Sequence, residues 1–226
     1  MLRSVIFFIL LSFLFHFSLV AQTPTLDLLT NRLANTSNEE ERVSLLLKLC
    51  EQKYSLNADR ILHYSAELQD RFKNEPDKHE YLLAIYYSTY ANMIRGLEDS
   101  MLKVTNSYLT KLKDNKAEIE TYLLFLELKG MLYYRLNNFR ETLNSFYRLQ
   151  SEASKAGNLS FLLRAKRGIS VAYLANGQNQ ESLKLVHKAL SFFPEKNKDA
   201  YLDEYGLLMV NASISFLHLR QITTNT

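Results

Sequence analysis

The stretch NNFRETLNSFYRL, residues 137–149, returns in outline further along the chain as NGQNQESLKLVHKAL, residues 176–190. Each copy begins with a polar turn, continues with a small hydroxylated residue, Thr142 or Ser182, and then presents apolar residues at helical spacing. An amphipathic helix pair cannot bury its apolar faces alone, whereas stacked pairs bury them against one another. The repetition therefore predicts consecutive helix pairs of similar build.

The composition favours an all-α fold. Gly occurs 6 times and Pro 3 times in 226 residues. A β-sandwich or barrel needs turn residues every ~8–12 positions, so both are disfavoured. Leu, Lys, Glu and Ala, which are good helix formers, are plentiful instead.

From Ser37 onward, apolar helical patterns alternate with short polar turns. Ser37 and Glu40 have the spacing of a capping box, and Asn57 can cap the next helix. Short loops make successive helices antiparallel neighbours. We expect about four helix pairs and one terminal helix over 38–219, followed by a tail, 220–226.

This pattern resembles the tetratricopeptide repeat. In the third pair the residues at the positions of the family motif are Leu126, Gly130, Tyr133, Thr142, Phe146 and Leu149. In the fourth pair they are Ile169, Tyr173, Gly177, Ser182, Val186, Ala189 and Pro194. The resemblance implies a right-handed α-solenoid of antiparallel helix pairs. In such a solenoid the small residues let helices approach closely, and the aromatic residues fill the hollows beside them.

Several positions depart from the family motif. Tyr133 and Tyr173 lie further apart than the ~34-residue family period, so longer helices are expected. Ser170 stands where glycine is usual in the fourth pair. The first two pairs match only by pattern, with Ile61 at the small position. An unrelated array of α-helical hairpins is therefore the alternative.

The resemblance also implies a binding face. First helices of tetratricopeptide pairs line a concave surface that takes a peptide or a helix. The residues expected on that surface are Glu127, Met131, Tyr134, Arg164, Arg167 and Val171. Arg164 and Arg167 could pair with an acidic group of a ligand; the alternative is that they are ordinary solvated helix charges.

The first residues, MLRSVIFFILLSFLFHFSLVAQ, have the pattern of an export signal. Arg3 supplies a positive start, 5–15 is an apolar core, and Ala21 is a plausible cleavage point. We expect a signal peptide over 1–21 and a short linker over 22–37. The mature chain would then be periplasmic or extracellular, without membrane attachment. An uncleaved membrane anchor is the alternative.

No motif for catalysis or cofactor binding is present in the sequence. The histidines of the expected mature chain, His63, His79, His187 and His218, are scattered without a partner at metal-ligand spacing. The single cysteine, Cys50, lies in an apolar helical stretch and is expected to be a buried structural thiol. We therefore expect no enzyme, no cofactor and no metal.

Charge likewise gives no nucleic-acid signature. The net charge is +3, and Lys and Arg alternate with Asp and Glu instead of clustering. The expected function is an interaction scaffold or adaptor of the exported compartment, with a protein or peptide partner. Two alternatives are a sensor region of a longer membrane-bound signalling or transcription regulator, and a helical small-ligand binder or enzyme. The last helix is apolar, which is consistent with two arrangements. It could cap the array with its apolar side packed on the fourth pair, or the chain could be the first part of a longer array.

Overall fold

The computed structural model describes residues 25–191 and 202–224, with side chains given for 206–217 in the last range. In these ranges the chain is helical and has no strand, which confirms the all-α prediction. None of these helices combines the length and apolar composition that crossing a membrane requires. The expected signal peptide, 1–21, and Pro194 lie outside the described residues.

The helices follow one another with short connections. They are α1 (25–35), α2 (Glu39–Glu51), α3 (Ala58–Arg71), α4 (His79–Ile94), α5 (Glu98–Leu112), α6 (Ile119–Arg135), α7 (Phe139–Lys155), α8 (Leu159–Ala175), α9 (Asn179–Leu190) and α10 (Leu202–Thr224). A short 3-10 helix, Lys116–Glu118, precedes α6.

Two compact units divide between Arg95 and Gly96. In the first unit, α3 packs against both α2 and α4. In the second unit, each helix from α5 to α10 packs against the next one in the chain. In addition, α8 contacts α6 on one side and α10 on the other, so three alternate helices form one layer of this unit.

Asparagine side chains cap several helices. The side chains of Asn57 and Asn138 accept hydrogen bonds from backbone N–H groups in the first turns of α3 and α7. At α2 the predicted capping box of Ser37 and Glu40 is wrong. Asn38 is the cap, because its side chain accepts from the backbone N–H of Glu41 at 2.9 Å. As a helix cap, asparagine accepts a hydrogen bond from a first-turn backbone N–H group at least as well as serine does.

Helix α1 lies within the segment 22–37 that we expected to be a linker. Leu26, Leu29 and Leu33 are spaced i, i+3, i+7, the periodicity of one helix face. Leu33 is buried, and Arg42 of α2 donates a hydrogen bond to its carbonyl. This hydrogen bond connects the segment to α2.

Cys50 lies in the core of the first unit. Its side chain is fully buried, among leucines of α2 such as Leu46 and Leu49, as the sequence predicts. Burial, with a smaller contribution from the charge of Glu51, raises the pKa of the thiol to about 12. The nucleophilic thiolate is therefore scarce near neutral pH.

The ring of Phe146 on α7 lies between two glycines on neighbouring helices. A Cβ added at Gly130 of α6 would lie 2.8 Å from the ring, and one added at Gly168 of α8 would lie 2.3 Å from it. Only glycine leaves room for the ring at these two positions. Phe146 thus packs directly onto the backbones of α6 and α8.

A buried polar cluster joins α10 to α8 and α9. The hydroxyl groups of Ser170 and Ser182 lie 2.7 Å apart. Ser215 of α10 donates to Ser182, and the amide of Asn211 reaches Ser170 at 3.5 Å. Beside this cluster, Leu208 packs with apolar residues of α8 and α9. One face of the last helix is therefore docked on the fourth pair.

We predict that Gly168→Ala destabilises the second unit by about 1–2 kcal/mol. Overpacking against Phe146 costs ~1–3 kcal/mol, and the higher helix propensity of alanine offsets up to about 1 kcal/mol of it. Urea-unfolding midpoints measure the difference. Gly206→Ala is the matched control, because a Cβ there meets nothing within 4 Å, and it should be neutral or stabilising. A Gly168→Ala variant as stable as the wild type would contradict the Phe146 packing.

We also predict that Cys50 in the folded chain reacts with iodoacetamide at pH 8 more than about a hundredfold slower than in urea. A thiol of pKa about 12 is almost wholly protonated at that pH, and burial blocks access as well. Mass spectrometry of timed samples measures the rate. Leu28→Cys, at a side chain that is 60% exposed, supplies a control thiol that should react rapidly. Equal native rates for the two thiols would refute the prediction.

Candidate functional site

The six residues expected on the binding face lie on two helices that pack side by side, α6 and α8. On α6 the spacing i, i+4, i+7 places Glu127, Met131 and Tyr134 on one stripe. On α8 the residues are spaced i, i+3, i+7, which again gives one stripe. These two stripes are called the α6–α8 face below, and its residues on α8 are Arg164, Arg167 and Val171.

An ion cluster joins the two stripes. The carboxylate of Glu127 is almost fully buried, with 2% of its side chain exposed. The guanidinium of Arg164 donates to both carboxylate oxygens, with its Nε 3.0 Å from Oε1. Arg167 approaches the same Oε1 at 3.5 Å. The structure therefore brings three of the six residues into one contact.

This cluster changes the interpretation of the two arginines. We expected them to meet an acidic group of a ligand or to be solvated, and the structure gives both of them the Glu127 carboxylate of their own chain. Arg164 is held further by the ring of Phe161, whose centroid lies 4.4 Å from the guanidinium carbon. The guanidinium groups of Arg164 and Arg167 therefore share the carboxylate of Glu127 on this part of the face.

A cavity of about 480 Å³ opens at the other end of the α6–α8 face. It lies where α6 and α8 end and α7 begins. Its lining residues are Tyr134, Arg135, Asn137, Phe139, Thr142, Ala172, Ala175 and Asn176. Tyr134 is thus shared between the face and the cavity, and 43% of its surface is exposed.

Local sequence explains why space is left there. Ala172 and Ala175, one helical turn apart on α8, project only methyl groups toward the cavity. Asn137 adopts a left-handed backbone with φ of 55°, which asparagine tolerates better than most residues. That turn ends α6 and directs Phe139, the first residue of α7, to the cavity wall.

Arg135 at the cavity rim is paired. Its Nε donates to the Glu98 carboxylate at 2.7 Å. The Glu98 carboxylate accepts one hydrogen bond from the backbone of Glu98 itself and one from Arg135. Both lower the pKa of this carboxyl group below its usual value. The Arg135 side chain of this ion pair is exposed to solvent, and the two charges are opposite. The pair therefore adds little net charge to the cavity.

Tyr173, a residue of the repeat motif, connects α8 to α7 close to this site. Its hydroxyl lies 2.8 Å from the hydroxyl of Tyr147, and its ring packs against Phe139 with centroids 6.5 Å apart. Burial, followed by the hydrogen bond to Tyr173, raises the pKa of Tyr147 to about 12. The phenol of Tyr147 therefore stays neutral near physiological pH.

The remaining expected residues take different positions. Met131 and Val171 are half-buried on the face. The motif residues Leu126, Gly130, Thr142, Ile169, Ser182 and Ala189 are buried, and Tyr133 and Tyr173 are half-buried. Gly177 ends α8 with a φ of 72°, and the N–H that follows it bonds back to the Tyr173 carbonyl. Within the described ranges, no three His, Cys, Asp or Glu side chains converge as metal ligands would.

We predict that Glu127→Gln lowers the free energy of unfolding of the second unit by ~3 kcal/mol. Removing one partner of a buried ion pair leaves the charge of the other uncompensated. Urea unfolding at pH 7 measures the loss. Glu120→Gln is the control on the same helix, because Glu120 is exposed and its change should stay within ~0.5 kcal/mol. Equal effects of the two substitutions would show that the cluster contributes no special stability.

No model of a known protein family matches this chain, and no curated protein matches it significantly.

Proposed function

We propose that this chain is a non-enzymatic interaction scaffold that binds a peptide or a helix on the α6–α8 face. The cavity at Tyr134 carries the proposal, since it adjoins a continuous stripe of half-buried and exposed side chains. Concave sites with apolar walls and a few polar groups are typical binding sites. We further propose that the protein acts in the periplasm or outside the cell, as the export-type sequence of 1–21 indicates.

We also propose that the stacked pairs of the second unit form a right-handed α-solenoid of the tetratricopeptide type. Two observations support it. Glycines permit the close contact of Phe146 with α6 and α8, and alternate helices α6, α8 and α10 lie side by side. In such a solenoid the α6–α8 face belongs to the layer of first helices, which line the ligand groove.

The chemistry of the face indicates how a partner would be held. Tyr134 offers an apolar ring with a polar hydroxyl, the combination that is enriched at binding hot spots. Ala175 leaves room for an inserted side chain, while Asn137 and Asn176 offer amide groups for the partner's backbone. Arg167, with 22% of its side chain exposed, could also donate to an acidic residue of the partner while it contacts Glu127.

A second candidate function is binding of a small molecule. The cavity volume of about 480 Å³ falls in the range of ~300–1,000 Å³ typical of ligand pockets. Thermal stabilisation by a metabolite but by no peptide would favour this candidate. A sensor region of a longer membrane-bound regulator is a further proposal from the sequence, and it would use the same face to receive its signal.

Peptides that bind the wild-type chain can be selected from a displayed random library. We predict that these peptides bind the Tyr134→Ala variant at least about tenfold more weakly than the wild type. The loss follows from removing the aromatic anchor at the mouth of the cavity. Ala175→Leu, which fills the cavity from a position exposed on α8, should have a similar effect. Fluorescence polarisation with labelled peptides measures both.

Tyr147→Ala is the matched control, because Tyr147 is equally exposed, at 45%, but lies on α7 away from the face. Its affinity should stay within about twofold of the wild type. Failure to select any peptide would count against a peptide-binding scaffold. Selected peptides that depend on Tyr147 and not on Tyr134 would place the binding surface elsewhere.

A further inference from the structure

Helix α10 presents an apolar face on the side opposite its docked face. Leu208, Asn211 and Ser215 point into the fourth pair and are buried. The large apolar side chains that remain exposed on α10 are Leu207, Met209, Val210, Ile214, Phe216 and Leu217. Each of them retains between 38% and 57% of its surface. Scattered exposed apolar residues are ordinary, but six on one helix form a contiguous patch.

The helical positions give this patch the shape of a shallow groove. At 100° per residue, Gly206, Val210, Ser213 and Leu217 fall on one stripe at the middle of the outward face, opposite Leu208. Met209 and Phe216 flank this stripe on one side, and Leu207 and Ile214 flank it on the other. A Cβ added at Gly206 would meet nothing within 4 Å, so the space next to this residue is open. The Ser213 hydroxyl donates to the carbonyl of Met209, so it presents no unsatisfied donor to a partner.

The buried polar cluster keeps this face turned outward. Ser215 donates to Ser182 of α9, and Asn211 reaches Ser170 of α8. Rotating α10 to bury the outward residues would break both hydrogen bonds and leave buried polar groups unsatisfied, which is unfavourable. The exposed apolar groove is therefore a fixed feature of the docked helix.

We propose that the occupant of this groove is the same face of a second copy of this chain. The face is self-complementary, because in an antiparallel pair Val210 and Leu217 of one copy would lie opposite the small residues Ser213 and Gly206 of the other. It is also uncharged: residues 205–217 contain no Asp, Glu, Lys or Arg, so two copies meet without repulsion. A charged or strongly polar partner would find no group to pair with.

The area is sufficient for a specific dimer. Six side chains of this size and exposure leave on the order of 500 Å² of apolar surface on each copy. Pairing two copies would remove about 1,000 Å² in total, which reaches the lower bound for specific protein interfaces. An interface of this size is typical of weak, reversible association rather than of a permanent dimer.

The test is the mass of the full chain in solution, measured by sedimentation equilibrium from about 1 to 100 μM. The wild type should rise from one to two copies over this range, with no larger species. Val210→Glu combined with Leu217→Glu should remain monomeric, because each copy would then have to bury two carboxylates at the centre of an apolar interface. Both positions are more than 40% exposed, so the helix should keep its fold, which circular dichroism checks.

Leu28→Glu combined with Leu97→Glu is the matched control, since it adds the same charge at exposed leucines outside α10. It should dimerise as the wild type does. A wild type that stays monomeric at about 100 μM overturns the proposal, whether or not it binds detergent micelles or a different protein through this face. A dimer that survives the two substitutions on α10 overturns it as well, because association would then use another surface.

Discussion

The ring of Phe146 between the backbones of Gly130 and Gly168 is the contact on which the second unit depends. Glycine in a helix costs up to about 1 kcal/mol relative to alanine, and here two are used to admit one ring. With the ring in that space, α6 and α8 pack on the same side of α7 and lie next to each other. Their proximity lets Glu127 reach Arg164, and it places Tyr134 beside the end of α8.

Two buried polar groups determine how the helices are oriented once they have packed. Glu127 requires the arginines of α8 opposite it, because an unpaired buried carboxylate is far less stable. The hydroxyl of Ser182 requires Ser170 and Ser215 around it in the same way. Apolar packing alone tolerates small rotations and shifts of a helix. These polar contacts do not, so they favour one rotation of α8 and of α10.

Local signals in the sequence predicted most of the helices, whereas the contacts between them carried little signal. Apolar spacing and the Asn57 cap are properties of neighbouring residues, and they predicted the succession of helices from residue 38 onward. Helix α1 was missed because its leucine stripe is short and lies in a polar segment. The role of Gly168 was not predicted, since the motif places its glycine at the position of Ser170. The pairing of Glu127 with Arg164 and the cavity beside Ala175 depend on which helices become neighbours in three dimensions.

The suppressed reactivity of Cys50 makes the chain well suited to optical measurement of the α6–α8 face. Because the native sulfur is both buried and protonated, a dye with a maleimide group would attach selectively to any second thiol placed at the surface. Fluorophores positioned at the rims of α6 and α8 could then report their separation while a ligand enters. No removal of the natural cysteine, and hence no disturbance of the leucine core around it, would be required.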